Sequence, residues 1–379
     1  DIKGLFVHPS CRAVTDGVNT RVYDINETAD LPAPMADVNP DDTAVICFSV
    51  NNDPGNPYGA MLSHKAIMRA AHNGLFIPGK PFGQRTIAIL PLSHVFGAIR
   101  GLLTCIYTGA LVYACEDMSN IVFDIPKMKP TILTLVPGLA EMVLSVARIK
   151  GKEFLEGIDT MICGGAYVQP KLIRMAENLG ITLFAGYGLT EAANIVTGNV
   201  DTDKVPDSVG KVYPGTKVRI SDGEIQVKGD VVMKGYYKNE EATKAVLDED
   251  GWLHTGDMGT ISADGTIFIK GRSKTMILTS NGQNIYPEEI EAKLNNMPFV
   301  MESLIVERDG KLVALVCPDY EAMDSYGVSN RDLPMAMEEV RNNLNKMLAP
   351  YEQITRIQLY PNEFEKTPKR SIKRYLYDN

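Results

Sequence analysis

From residue 41 to about 185 the chain alternates short β-branched runs with longer stretches of helical periodicity. Compact apolar runs bounded by turn formers suit strands, and apolar positions three and four apart suit one buried face of a helix. The pattern predicts strands at 43–48, 86–90, 111–114, 132–135, 160–162 and 182–184, and helices at 63–72, 97–107, 137–148 and 169–177. Pro170 falls in the first turn of the last helix, where its missing N–H is no loss. Such alternation implies an α/β subdomain over 41–185 with a largely parallel sheet.

Past Gly186 the punctuation changes. Ser221-Asp222-Gly223 and Ala263-Asp264-Gly265 are hairpin turns, so 186–273 is expected to be β-rich. Residues 274–379 mix both periodicities over enough length for a small α+β domain of their own. Residues 1–40 are rich in Pro and Asp with little periodicity, and read as a connector. The chain opens with Asp1 and not methionine, so residues upstream are expected.

Composition narrows the function classes. A length of 379 residues calls for more than one domain, and a net charge of −9 argues against a partner held through nucleic-acid phosphates. A small anionic ligand needs only local positive charge. The cysteines at 11, 47, 105, 115, 163 and 317 form no CxxC pair and no Cys/His cluster of zinc spacing, so a reduced, cytoplasmic setting is expected. No apolar run approaches the ~18 to 20 residues of a membrane span, and no signal peptide is present. Peripheral membrane contact and oligomeric state stay open.

Four constellations carry candidate chemistry. In Thr255-Gly256-Asp257 the glycine allows a tight turn, so that Asp257 can face a polar ligand such as the two hydroxyls of a ribose. Arg272 follows the next strand and offers a fixed fork of donors, with Lys274 beyond it at a hinge position. In Gly186-Tyr187-Gly188-Leu189-Thr190-Glu191, a loop after a strand, Tyr187 can stack on a planar base while Thr190 and Glu191 offer hard oxygens to Mg²⁺. Gly164-Gly165-Ala166 lets backbone approach a flat ring, and His94, in Leu92-Ser93-His94-Val95, projects from a loop toward a carboxylate pocket. For Asp257, Arg272 or His94 taken singly, a surface hairpin or a structural histidine is the better explanation.

In this order GYGLTE, GWLHTGD, GRSKTMI and NGQNIYPEEIE resemble the adenylate-forming superfamily of acyl-CoA synthetases, nonribosomal-peptide adenylation domains and luciferases, from residue 41 to the C-terminus. The resemblance implies an α/β acyl-CoA synthetase-like fold with a parallel-sheet core, a β-rich subdomain and a mobile α+β C-terminal domain. It implies activation of a carboxylic acid by Mg-ATP to an acyl-adenylate, then transfer to coenzyme A. By the same resemblance Asp257 holds ribose, Arg272 binds ribose or phosphate, Glu191 with Thr190 anchors Mg²⁺, and Lys274 is the pivot of the rotating domain. Gly165, Ala166 and Tyr187, flanked by Gly164, Gly186 and Gly188, enclose adenine; His94 gates the acyl pocket and Gly282 borders the thiol tunnel.

Two departures bear on activity. The phosphate loop keeps Gly55, Pro57 and Gly59, but Tyr58 stands at its lysine position and Asp53 would repel a polyphosphate. At the C-terminus Ser371 takes the place of the adenylation lysine, with Lys369 and Lys373 each two residues away and able to share its face on an extended segment. Most of the family's N-terminal subdomain is also missing from the chain, with residues 1–40 as its remnant. The expected activity is therefore a fatty acid to CoA ligase of the AMP-forming kind. The alternatives are an aryl-acid or succinylbenzoate ligase, an enzyme loading a carrier protein, and a paralogue that holds AMP or acyl-AMP without making it.

Overall fold

The computed structural model describes residues 5–7, 22–24, 37–49, 57–75, 82–115, 117–278, 283–329, 331–366 and 372–377. The chain divides into two units, 1–39 and 40–379. In the first, β1 (Leu5–Val7) pairs in parallel with β2 (Val22–Asp24).

The second unit begins with an antiparallel pair, β3 (Thr43–Ser49) and β4 (Tyr58–Ser63), followed by α1 (His64–Asn73). Ser63 caps α1, its hydroxyl accepting from the Ala66 N–H at 3.1 Å, as expected of a short oxygen-bearing side chain at that position. Next come β5 (Arg85–Ala88), a π-helical segment over Phe96–Leu103 that runs into α2 (Thr104–Tyr107), and β6 (Leu111–Ala114), which pairs in parallel with β5. The wide segment lies within the predicted helix 97–107, and π turns inside helices are frequent at functional sites.

The main sheet is then built by α3 (Ile121–Met128), β7 (Ile132–Leu135), α4 (Pro137–Lys150), β8 (Thr160–Cys163), α5 (Pro170–Asn178) and β9 (Thr182–Tyr187). β7, β8 and β9 run parallel, and β10 (Thr197–Asn199) and β11 (Lys211–Val212) extend the same sheet antiparallel. Within 41–185 every strand pair except β3–β4 is parallel, as the sequence reading expects, and the antiparallel β10 and β11 lie beyond that segment. Leu133, Leu135, Met161 and Leu183 share one face of the sheet and are fully buried in a core with residues of α4 and α5, while Ile132 and Phe184 are buried on the other face.

A four-stranded antiparallel sheet follows, from β12 (Thr216–Ser221) and β13 (Glu224–Gly229) through β14 (Leu253–Ile261) to β15 (Ile267–Arg272), with α6 (Glu240–Val246) inserted before β14. Both anticipated turns are present, with Asp222 and Gly223 in left-handed conformation at the first. The last part contains β16 (Ile277–Leu278), β17 (Asn284–Ile285), α7 (Pro287–Leu294), β18 (Val300–Arg308), β19 (Lys311–Pro318), α8 (Tyr320–Ser325), α9 (Leu333–Lys346) and β20 (Arg356–Leu359). Its core, with Ile290, Leu294, Ala314 and Leu344, shares no residue with the cores around β7–β9 and β13–β14. No helix among the described residues is long and apolar enough to cross a membrane.

Candidate active site

The site forms where the carboxyl end of β9 meets the β14–β15 hairpin. Tyr187, the last residue of β9, donates its hydroxyl to Asp257 Oδ2 at 2.7 Å. Asp257 on β14 stands opposite Arg272 on β15, whose Nε lies 2.9 Å from Asp257 Oδ1. Three residues named from separate motifs therefore touch.

Asp257 is not placed as its tripeptide suggests. It lies within a strand, 4% exposed, with both carboxylate oxygens bonded to protein. Gly256 takes the left-handed conformation (φ 71°), and its N–H donates to Glu224 Oε1 at 2.8 Å, so the irregularity turns the acid inward onto β9. Thr255 supports it: Oγ1 accepts from the Asp257 N–H and donates to Ile225 O. Burial raises the Asp257 carboxyl above its ordinary range, while Arg272 and then the Tyr187 hydrogen bond pull it down. Burial, with the Asp257 charge, holds the Tyr187 phenol well above its usual value.

Glu191 and Thr190 are buried in the tight turn after β9. Gly188 makes that turn feasible, because a Cβ there would sit 1.9 Å from Asn194 O. Glu191 Oε1 accepts from the Tyr236 hydroxyl at 3.0 Å, and its second oxygen accepts no hydrogen bond from the described residues. No group of three His, Cys, Asp or Glu among the described residues is placed to hold a metal ion. Mg²⁺ fits here only in the way it commonly binds, through one carboxylate and the phosphates of its ligand, with Glu191 as that carboxylate. Exposed Lys274 feels both Arg272 and Glu191: burial and Arg272 push its ammonium down, and Glu191 raises it.

Gly164 and Gly165 follow β8 and form a floor against Phe96, whose ring atoms would lie 3.3 and 3.6 Å from side chains added at these positions. With Gly186, Tyr187 and Gly188 they line a narrow pocket of about 40 Å³ whose walls also include Phe96 and Arg100. Ala166 is exposed and is not among its lining residues, so its predicted part in enclosing adenine is not seen. His94 accepts from the Phe96 N–H through Nδ1 at 3.1 Å, which pins the start of the π-helical segment and makes its role structural as well as positional.

Three further residues named from the sequence have defined places. Gly59 lies in β4; its carbonyl accepts from Tyr237 N at 2.7 Å, and an added Cβ would meet Ile46 at 2.8 Å. Tyr58, at the lysine position, packs its ring 5.1 Å from that of Tyr236, the residue that holds Glu191. Lys373 is bound 3.1 Å from Glu365 Oε2 in the C-terminal part and contacts none of the site residues. Gly55, Asp53, Gly282, Lys369 and Ser371 lie outside the described residues. Tyr236, Glu224 and Arg100 escaped the sequence reading, since none belongs to a spaced motif and each acts through a partner distant in the chain.

Comparison with known proteins agrees with this geometry. The "AMP-binding enzyme" family matches residues 7–237, and its C-terminal domain matches 274–378. A 3-[(3aS,4S,7aS)-7a-methyl-1,5-dioxo-octahydro-1H-inden-4-yl]propanoyl:CoA ligase of Rhodococcus jostii is 34% identical over 75% of this chain and 56% of its own length. The peroxisomal OPC-8:0-CoA ligase 1 of Arabidopsis thaliana is 30% identical over 89% of this chain and 64% of its own. The chain thus spans less than two thirds of the length of each of these relatives. ATP-bound MatB from Rhodopseudomonas palustris superposes with a TM-score of 0.83 at 26% identity, covering 99% of this chain and 78% of that one. A parallel-sheet core joined to a β-rich subdomain and matches over both segments together show that the chain belongs to the AMP-binding enzyme family, with the α/β fold of the adenylate-forming acyl-CoA synthetases.

Proposed function

We propose that this chain condenses a carboxylic acid with ATP to an acyl-adenylate and pyrophosphate, then passes the acyl group to the thiol of coenzyme A. The observation that supports it best is the convergence of Tyr187, Asp257 and Arg272 beside Glu191 and the glycine-walled pocket. In this reading Arg272, 39% exposed at its side chain, orients ribose or phosphate oxygens while Asp257 holds the guanidinium in place. Gly164, Gly165 and Gly186 let the adenine and the reacting carboxylate approach backbone closely. Mg²⁺ held by Glu191 and Thr190 would neutralise charge on the phosphates when bound. The chain's own part is to place carboxylate and α-phosphate in line and to keep water from the mixed anhydride. Rotation of the C-terminal domain about Lys274 would serve both half-reactions.

The acid is read as one with an apolar body, a fatty acid in the first instance, because Phe96, Ile162, Phe184 and Ile195 wall the pocket. The names of the Rhodococcus and Arabidopsis relatives also describe CoA ligases. Cytoplasmic placement and Mg²⁺ dependence belong to the same proposal. A second reading, a paralogue that holds an adenylate without making it, draws on Tyr58, which puts an aromatic ring where the family has an ammonium. Pyrophosphate exchange over a panel of acids separates the two. Exchange with any acid supports the ligase; silence across the panel with measurable ATP binding supports the paralogue.

A further inference from the structure

Arg100 is a buried cation with no counter-ion among the described residues. It lies in the π-helical segment, 6% exposed, and among the described residues lining the pocket it is the only one with a charged side chain. Its Nη1 donates to Gly74 O at 2.6 Å; no carboxylate and no second acceptor pairs with it among the described residues. Arg100 has five N–H donors in a planar fork, and one carbonyl leaves most of that capacity unused. Buried charges are ordinarily paired, because desolvation without a partner is costly. Burial accordingly pushes the Arg100 guanidinium below its ordinary value, the nearby Tyr213 and Cys105 acting weakly the other way.

Location gives the unused donors a direction. Phe96, one turn earlier, closes over Gly164 and Gly165, and His94 stands at the start of the same segment. Arg100 and Tyr213 line the same pocket as the glycine floor, Phe96 and Ile195. An acid lying in that pocket would share its walls with the unused donors of Arg100.

We infer that Arg100 is a specificity-determining residue that receives a second carboxylate, so that the acid taken by this pocket is a dicarboxylate with a short apolar body, activated at one end only. The inference rests on the acid-activating reading above. It differs from a plain fatty-acid site, in which an alkyl terminus would be pressed against an unpaired guanidinium.

The test uses the full chain with glutarate, adipate and suberate, each set against the alkanoate and the keto acid of equal chain length. Pyrophosphate exchange gives KM, and titration calorimetry in the presence of AMP gives affinity without turnover. At least one dicarboxylate should show a KM about tenfold or more below that of its alkanoate, with the keto acid between them. Arg100→Met should abolish or invert that order while leaving ATP affinity unchanged. Should that variant not fold, Arg100→Lys keeps the charge but loses the fork, and it should raise the dicarboxylate KM and spare the alkanoate. A wild type that prefers alkanoates, or an order unmoved by these substitutions, overturns the inference. Exchange silent for every acid, with dicarboxylate binding that Arg100→Met removes, overturns the ligase reading and upholds the anchor. Silence in both measurements overturns the anchor.

Discussion

Asp257 shows what one side chain must satisfy to be both buried and useful. Its two oxygens are shared between a phenol at 2.7 Å and a guanidinium at 2.9 Å, which offset the cost of placing the charge in the interior. Tyr187→Phe removes one partner without changing shape and leaves Oδ2 unsatisfied. We expect a loss of about 1–3 kcal/mol of stability and weaker AMP binding by calorimetry, with an unchanged melting temperature counting against the bond. Glu191→Gln tests the neighbouring carboxylate: it keeps an acceptor for Tyr236 but removes the charge. If Glu191 is the metal anchor, exchange activity should fall by about 10²–10³ with the fold intact; full activity would remove Glu191 from the mechanism. Asp257, Arg272, Tyr187 and Glu191 were all legible in the sequence because each sits in a spaced motif. Their mutual contacts were not, since Tyr187 and Asp257 are 70 residues apart and nothing local encodes the meeting.

At the scale of elements, legibility followed how local the stabilising contacts are. β7, β8 and β9 lie within a few residues of expectation because unbroken apolar runs have no other place in a sheet covered on both faces. β4 was missed: Tyr58-Gly59-Ala60-Met61 resembles a loop motif, yet it is a strand. One edge pairs with β3, and on the other Met61 and Gly59 exchange backbone hydrogen bonds with Lys234, Gly235 and Tyr237. Such long-range pairing overrides the propensity of a glycine-containing stretch. The turn after β9 is as demanding. Gly188→Ala would drive a Cβ into Asn194 O at 1.9 Å, so backbone must move. We expect about 1–3 kcal/mol of destabilisation and a disproportionate loss of nucleotide affinity, because the shift displaces Glu191. Ordinary nucleotide affinity in a folded Gly188→Ala protein would show that the turn does not position the carboxylate.

For the whole molecule, the separation of the cores sets how the parts respond to pH. The core around Ile290 and Leu344 shares no residue with those of the large domain, and a polar link between the parts among the described residues is Lys171 N to Asn296 Oδ1 at 3.2 Å. Two calorimetric transitions are therefore expected. Glu291 marks the C-terminal one. It is buried on α7, accepts from Ile305 N at 2.7 Å on β18, and takes Arg374 Nη1 on both oxygens at 2.8 and 2.9 Å. Burial pushes its carboxyl up from 4.5 to about 7 despite Arg374. Between those two values the unfolded chain has released this proton and the folded chain keeps it, so the folded state binds more protons and stability falls as pH rises. This group's contribution is thus full below about pH 4.5, declines through about pH 7 and is level above it. Glu291→Gln preserves the acceptor for Ile305 and Arg374 but cannot titrate. The variant should lose that slope in the C-terminal transition alone, while the large-domain transition keeps its own pH profile. A slope that survives the substitution would assign the proton elsewhere, and a change in both transitions would show that the two parts unfold as one.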